Sequence, residues 1–191
     1  MPGDSELIQI VDAALAEAVR RSGAWLACRP GCYECCIGPF AITQLDAVRL
    51  RAGLADLEAR DPERASRVQH RAQASVERMR RECPADPLRN AIEHDHAAED
   101  ESCPALDPAT GTCDLYAARP ITCRTFGPAV RFGTDAVAIC ELCYQCASDT
   151  QIAACEVAID PENLQADLLR QLAAAGQTGE TVVAFALAVA S

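Results

Sequence analysis

The chain is poor in aromatic residues: one Trp, three Tyr and four Phe among 191 positions, or 4%. A core with so few rings must be filled by Ala, Leu, Val and Ile, a composition that favours closely packed helices. Positive charge is also in deficit. Seventeen basic residues stand against 28 acidic ones, for a formal net charge of −11. A surface that acidic repels phosphate backbones and anionic lipid, so neither nucleic acid nor a membrane is an expected partner. The arginine-rich stretch Arg60–Arg81 is laced with Glu63, Glu77 and Glu82 and reads as a solvated helix face. Long apolar runs are missing as well. The longest, Val182–Ala190, falls far short of the roughly 20 residues of a spanning helix. The opening MPGDSELIQIVDAALAEAVRR lacks a basic leader and is interrupted by acids, so no secretion signal is read there. Glycine-rich phosphate loops, a GxSxG elbow and an HExxH helix are absent, and no Cys–His pairing supports a cysteine protease. The expectation left is a soluble, cytoplasmic protein.

Cysteine is the residue in excess, with 12 in the chain. In a reducing cytoplasm that number argues for metal ligation over disulfides. An even count also permits a disulfide scaffold, against which stand the missing signal and the long helices. The cysteines fall in three groups: Cys28-x3-Cys32-x2-Cys35-Cys36; then Cys103, Cys113 and Cys123; then Cys140-x2-Cys143-x2-Cys146. A two-residue spacing lets both thiolates of a CxxC loop face one metal while the intervening amides donate to sulfur. Each bound thiol is deprotonated, so binding contributes to folding outright. These ten candidate metal ligands exceed the needs of one tetrahedral site. Two four-thiolate sites, or an iron–sulfur cluster with spare thiols, both fit. Adjacent Cys35 and Cys36 are hard to seat on one ion: one of them binds a second metal, bridges, or stands behind the ligands. Cys83 and Cys155 lie on helix-like segments and read as small buried hydrophobes. Glu93-His94-Asp95-His96 reads as an exposed acidic loop, and His70 has no visible partner.

Helical spacing of Leu7, Ile8, Val11, Leu15 and Val19 predicts a first helix over residues 5–22, ended by Gly23. Thr43 and Asp46 form a capping-box pair that opens a helix to about Ala59. Asp61-Pro62-Glu63 starts another, ending near Cys83-Pro84, and a short helix lies within Pro87–Glu99. Val130–Phe132 and Ala136–Ile139 suit a small hairpin around Gly133-Thr134-Asp135. Asp160-Pro161-Glu162 is a third start signal for a helix with Leu164, Leu168, Leu169 and Leu172 on one face, stopped by Gly176. Thr178–Ser191 is read as a last, mostly apolar helix, which must be buried or paired with a partner.

The stretches CRPGCYECCIGPFAIT and CPALDPATGTCDLYAARPITCRTFG together resemble the YkgJ-type cysteine-cluster family, a zinc- or iron-chelating domain of the CxxCxxCC type. The shared features fall on Cys28, Cys32, Cys35, Cys36 and Thr43, and then on Cys103, Leu106, Gly111, Cys113, Leu115, Tyr116, Arg119, Pro120, Cys123 and Arg124. The resemblance covers residues 26–146 and implies metal chelation by these cysteines, zinc or iron unresolved. A related motif occurs in flagellin lysine-N-methylases, where it looks like an iron–sulfur site. This chain has no methyl-donor glycine loop, so that activity does not carry over. Pro120 fixes an extended approach to Cys123, and Arg119 and Arg124 are positioned in sequence to offset thiolate charge.

The expected architecture is therefore mainly α: one domain over residues 1–191, a helical frame around irregular cysteine-rich loops, with a small β-hairpin and C-terminal helices over 160–191. The expected function is metal-ion binding, zinc or iron held by cysteines of all three groups. The alternative is an iron–sulfur protein acting as an oxidoreductase or enzyme accessory factor. The partner is the metal ion, with a protein partner or self-association through the C-terminal helices as the further option.

Overall fold

The computed structural model describes residues 3–29, 31–93, 100–132 and 136–188. The architecture is mainly α. Its helices are α1 (Asp4–Ser22), α2 (Gln44–Arg60), α3 (Pro62–Glu82), α4 (Pro87–Glu93), α5 (Ile121–Thr125), α6 (Asp149–Cys155), α7 (Leu164–Ala174) and α8 (Val183–Leu187). The strands are short: β1 (Ile42–Thr43), β2 (Leu106–Asp107), β3 (Thr112–Cys113), β4 (Val130–Phe132), β5 (Ala136–Ala138), β6 (Val157–Ala158) and β7 (Glu180–Thr181). Two compact units arise: the described residues of 1–30 with 121–174, and those of 31–120 with 175–191. No helix among the described residues is long and apolar enough to cross a membrane.

The larger unit is built on α2, α3 and α8. Thr43 and Asp46 form a full capping box, each side chain bonded to the other's backbone N–H. That satisfies two of the amide groups a helix start leaves open. Asp61 caps α3 through the Arg64 N–H, with Pro62 at the first helical position. Ala65, Val68, Ala72, Val76 and Met79 make the buried stripe of α3, and Leu50, Leu54 and Leu57 that of α2. Small residues let these helices approach closely. Gly53 is the extreme case, since a Cβ there would sit 2.3 Å from the Ala118 Cβ. Glycine inside a helix costs about 1 kcal/mol relative to alanine, and here it admits the turn that precedes Arg119.

The C-terminal segment differs from the expected single helix. Gly179 takes φ +81°, Glu180–Thr181 pairs antiparallel with Ile42–Thr43, and among the described residues of the segment only Val183–Leu187 is helical. Val182, Val183, Ala184, Ala186 and Leu187 are buried in the cores of their own unit. Burial of these side chains contributes to the apolar core of that unit.

In the other unit α1 presents Leu7, Val11, Leu15 and Ala18 as one buried stripe. It packs against α5, α6, α7 and β6. The expected hairpin forms as β4 and β5, paired Val130 with Ala138, and β6 joins β4 in parallel. The residues at its tip, 133–135, lie outside the described residues, as do His94, Asp95 and His96 of the acidic loop. Helix α7 starts three residues later than its start signal. Asp160 and Asn163 adopt φ +49° and +58°, and the Asp160 carboxylate accepts from the Leu164 and Gln165 N–H groups, both at 2.8 Å. The cap works from one turn further back.

Candidate metal centre

Cys32, Cys35 and Cys36 of the first cysteine group lie in the larger unit, where the segment that carries Cys35 and Cys36 meets the one that carries Cys103 and Cys113. Cys35 and Cys36 occupy a single 3-10 turn, Glu34–Cys36. Cys103 donates its N–H to the Cys36 carbonyl at 2.7 Å, Gly38 donates to Glu101 at 2.8 Å, and Ile37 bridges Ser102. Leu106 pairs with Cys113 across β2 and β3, and the Asp114 N–H donates to Ala105 at 2.7 Å. Each of Cys32, Cys35, Cys36, Cys103 and Cys113 is partly buried.

The sulfurs share one electrostatic neighbourhood. The hydrogen bond from Cys36 holds the Cys35 thiol well below its ordinary range, with the Arg119 guanidinium helping against burial. Cys36 is pushed up by that same bond, by burial and by the charges of Cys35, Cys103 and Cys113. Burial pushes Cys103 up to about 12 and raises Cys113. Without a cation, this pocket disfavours more than one thiolate. A cation that neutralises them reverses the preference. Among the described residues, no three Cys, His, Asp or Glu side chains stand converged as a finished chelate. The donor chemistry, soft sulfur on a braced turn and hairpin, fits zinc or iron.

Helix α3 braces that hairpin. Every basic residue of the chain is arginine, and Arg64, Arg71 and Arg78 recur every seven residues, two helical turns apart on one face. The Asp114 carboxylate, beside Cys113 and only 1% exposed, pairs with Arg64 Nε at 2.5 Å and Arg71 at 2.6 Å. Arg71 Nε also donates to the Pro104 carbonyl at 2.8 Å, next to Cys103, and Arg78 Nε to Glu101 at 2.8 Å. The arginine-rich stretch is therefore not simply a solvated face. Its seven-residue period was the signal that could have shown this. Arg119 stacks over the Tyr116 ring, 3.8 Å from its centroid, whereas Arg124 pairs with Asp12 at 2.7 Å. The Arg119 charge reaches the thiols of Cys35 and Cys113.

The remaining candidates belong to the other unit. Cys140 and Cys143 are buried with Tyr144 and Cys155, Cys123 lies partly buried on α5, and Cys28 and Cys146 are exposed. Cys155 is a core residue as expected, its Sγ donating to the Arg21 carbonyl at 3.4 Å. Cys83, at the end of α3, is only half-buried. The Ser148–Gln151 capping box of α6, an S-x-x-Q signal the sequence reading passed over, fixes the exit from Cys146.

The described geometry brings Cys35, Cys36, Cys103 and Cys113 into one neighbourhood, with Cys32 on the same segment. The chain belongs to the CxxCxxCC family, described as "Putative zinc- or iron-chelating domain", whose profile matches residues 27–147. No curated protein and no solved structure matches the chain.

Proposed function

We propose that the protein is a thiolate metal-binding protein that takes zinc or iron at Cys35, Cys36, Cys103 and Cys113, with Cys32 at the margin of the site. What carries the reading is the backbone that brings the Cys35–Cys36 turn against the segment of Cys103 and Cys113, joined by the Cys103-to-Cys36 hydrogen bond. Family membership supports the choice of metals. A thiolate site of this kind presupposes a reducing compartment, the cytoplasm.

A bound zinc or iron ion would supply positive charge, which would let four half-buried sulfurs ionise together. The protein's part is to hold the donors. The Glu34–Cys36 turn fixes two of them, strand β3 carries Cys113, the turn from Cys103 to Leu106 ahead of β2 holds Cys103, and Arg119 offsets residual negative charge. One observation favours an iron–sulfur cluster as a second reading: Cys35 and Cys36 are adjacent, and a cluster offers neighbouring sulfurs separate iron atoms.

The test is anaerobic purification followed by metal analysis and an absorption spectrum. Wild type is expected to carry metal, and Cys103→Ser and Cys113→Ser are expected to lose it from this site. A colourless zinc protein would sink the cluster reading, and a brown one carrying sulfide would sink the single ion. Metal content unchanged in both variants would sink the site itself.

A further inference from the structure

The smaller unit holds five candidate cysteines that the site above does not use: Cys28, Cys123, Cys140, Cys143 and Cys146. Its Cys140–Cys146 loop is sharply bent. The Cys143 N–H closes a turn onto the Cys140 carbonyl at 2.9 Å, and the Ala147 N–H closes the next onto Tyr144 at 2.9 Å. Between them Tyr144 and Cys146 take φ +56° and +63°. Left-handed backbone at a bulky aromatic residue and again two residues later is costly, and such strain concentrates at ligand clamps.

The surroundings enforce the bend. The Tyr144 hydroxyl hydrogen-bonds Ser22 Oγ at 2.6 Å and accepts from the Ala129 N–H at 2.9 Å. The Tyr144 N–H donates to the Trp25 carbonyl at 2.8 Å, which ties the loop to the strand of chain that carries Cys28. Gly127 is the common neighbour. Its carbonyl accepts from the Cys140 N–H at 3.5 Å, and a Cβ on it would lie 2.6 Å from Cys28 Sγ. Glycine there, at φ +120°, lets Cys28 approach the face on which Cys140 is anchored.

We infer that Cys28, Cys140, Cys143 and Cys146 form a second, separate metal site, so that the chain binds two metal equivalents, one per compact unit. The two-residue spacing supplies three donors from one strained loop, and Cys28 supplies the fourth from across Gly127. The ligand class is a thiophilic cation of zinc type, closed by four sulfurs and with no open position for substrate. This inference extends the reading of the first site and stands or falls separately from it.

The experiment is Co(II) titration of the full-length reduced protein, following sulfur-to-cobalt absorption and metal per chain. Cys140 and Cys143 are core residues, so the variants are Cys28→Ser and Cys146→Ser, whose side chains are exposed. Two equivalents are expected in wild type and one in either variant, while Cys103→Ser loses the other equivalent. Independently, alkylation mapped by mass spectrometry on the cobalt-loaded wild type is expected to spare Cys28 and Cys146 until a chelator is added. One equivalent in wild type, kept by Cys28→Ser and Cys146→Ser and lost by Cys103→Ser, would overturn the second site and leave the first standing. Two equivalents, both kept by Cys28→Ser and Cys146→Ser, would also overturn it. No cobalt bound at all would overturn both.

Discussion

Glu101 stands two residues before Cys103, and its carboxylate is held by Arg78 from α3. Burial on its own would raise this carboxyl, but the Arg78 hydrogen bond, the Ser75 hydroxyl and the Arg78 charge together outweigh it, leaving the group below its ordinary value of 4.5. A depressed carboxyl contributes stability above its unfolded value and loses it as pH falls through the folded one. Arg78→Gln is therefore expected to lower stability by about 1 kcal/mol at neutral pH, the scale of a partly exposed pair. The difference from wild type should shrink as pH falls below 4.5. Thermal melts of both proteins at pH 7 and in mild acid test this. A gap that stays constant with pH would show that Arg78 acts by packing alone.

Helix α3 shows how an element far from the cysteines in sequence governs the site. Its buried stripe of Ala65, Val68, Ala72, Val76 and Met79 faces the core, and Arg64, Arg71 and Arg78 flank that stripe at its edge. The guanidinium forks reach Asp114, the Pro104 carbonyl and Glu101, so one rigid rod fixes both limbs of the cysteine hairpin. Asp114 is almost wholly buried, and removing both partners strands its charge. The Arg64→Gln/Arg71→Gln double variant is expected to lose about 3–5 kcal/mol. A urea melt of the reduced chain measures it. Replacing Asp114 by Asn in that background should recover part of the loss, since the stranded charge is then gone. Loss of less than about 1 kcal/mol, the scale of an exposed pair, would mean that water already solvates Asp114.

At the scale of the molecule, each compact unit has an apolar core of its own and a set of thiols beside it. A ligand that binds the folded state stabilises it by RT ln(1 + [L]/Kd), about 2.7 kcal/mol at a hundredfold excess over Kd. Melting temperature is expected to rise with added zinc and to fall when a chelator is added to the purified protein, with reducing agent present throughout. Melting unmoved by chelator would count against metal as a folding contribution. Val182, Val183, Ala184, Ala186 and Leu187 are buried in the cores of their own unit.

Much of this was open to reading along the chain. The extents of α1, α2 and α3, the Thr43–Asp46 cap and the β4–β5 hairpin follow from local rules, because caps, prolines and apolar spacing act within a few residues. The spacing of Cys28, Cys32, Cys35, Cys36, Cys103, Cys113 and Cys123 and the order of the motifs around them likewise marked the family. Other features were decided by residues distant in sequence. Asp114 finds Arg64 and Arg71 across 50 and 43 positions. The last segment became a strand and a short helix because Ile42–Thr43 offered it a pairing edge. The grouping of thiols by unit rests on which cores form, not on which cysteines are neighbours in the chain. Local chemistry named the candidate donors; long-range packing, where burial and charge pairing outweigh local preference, chose which of them stand together.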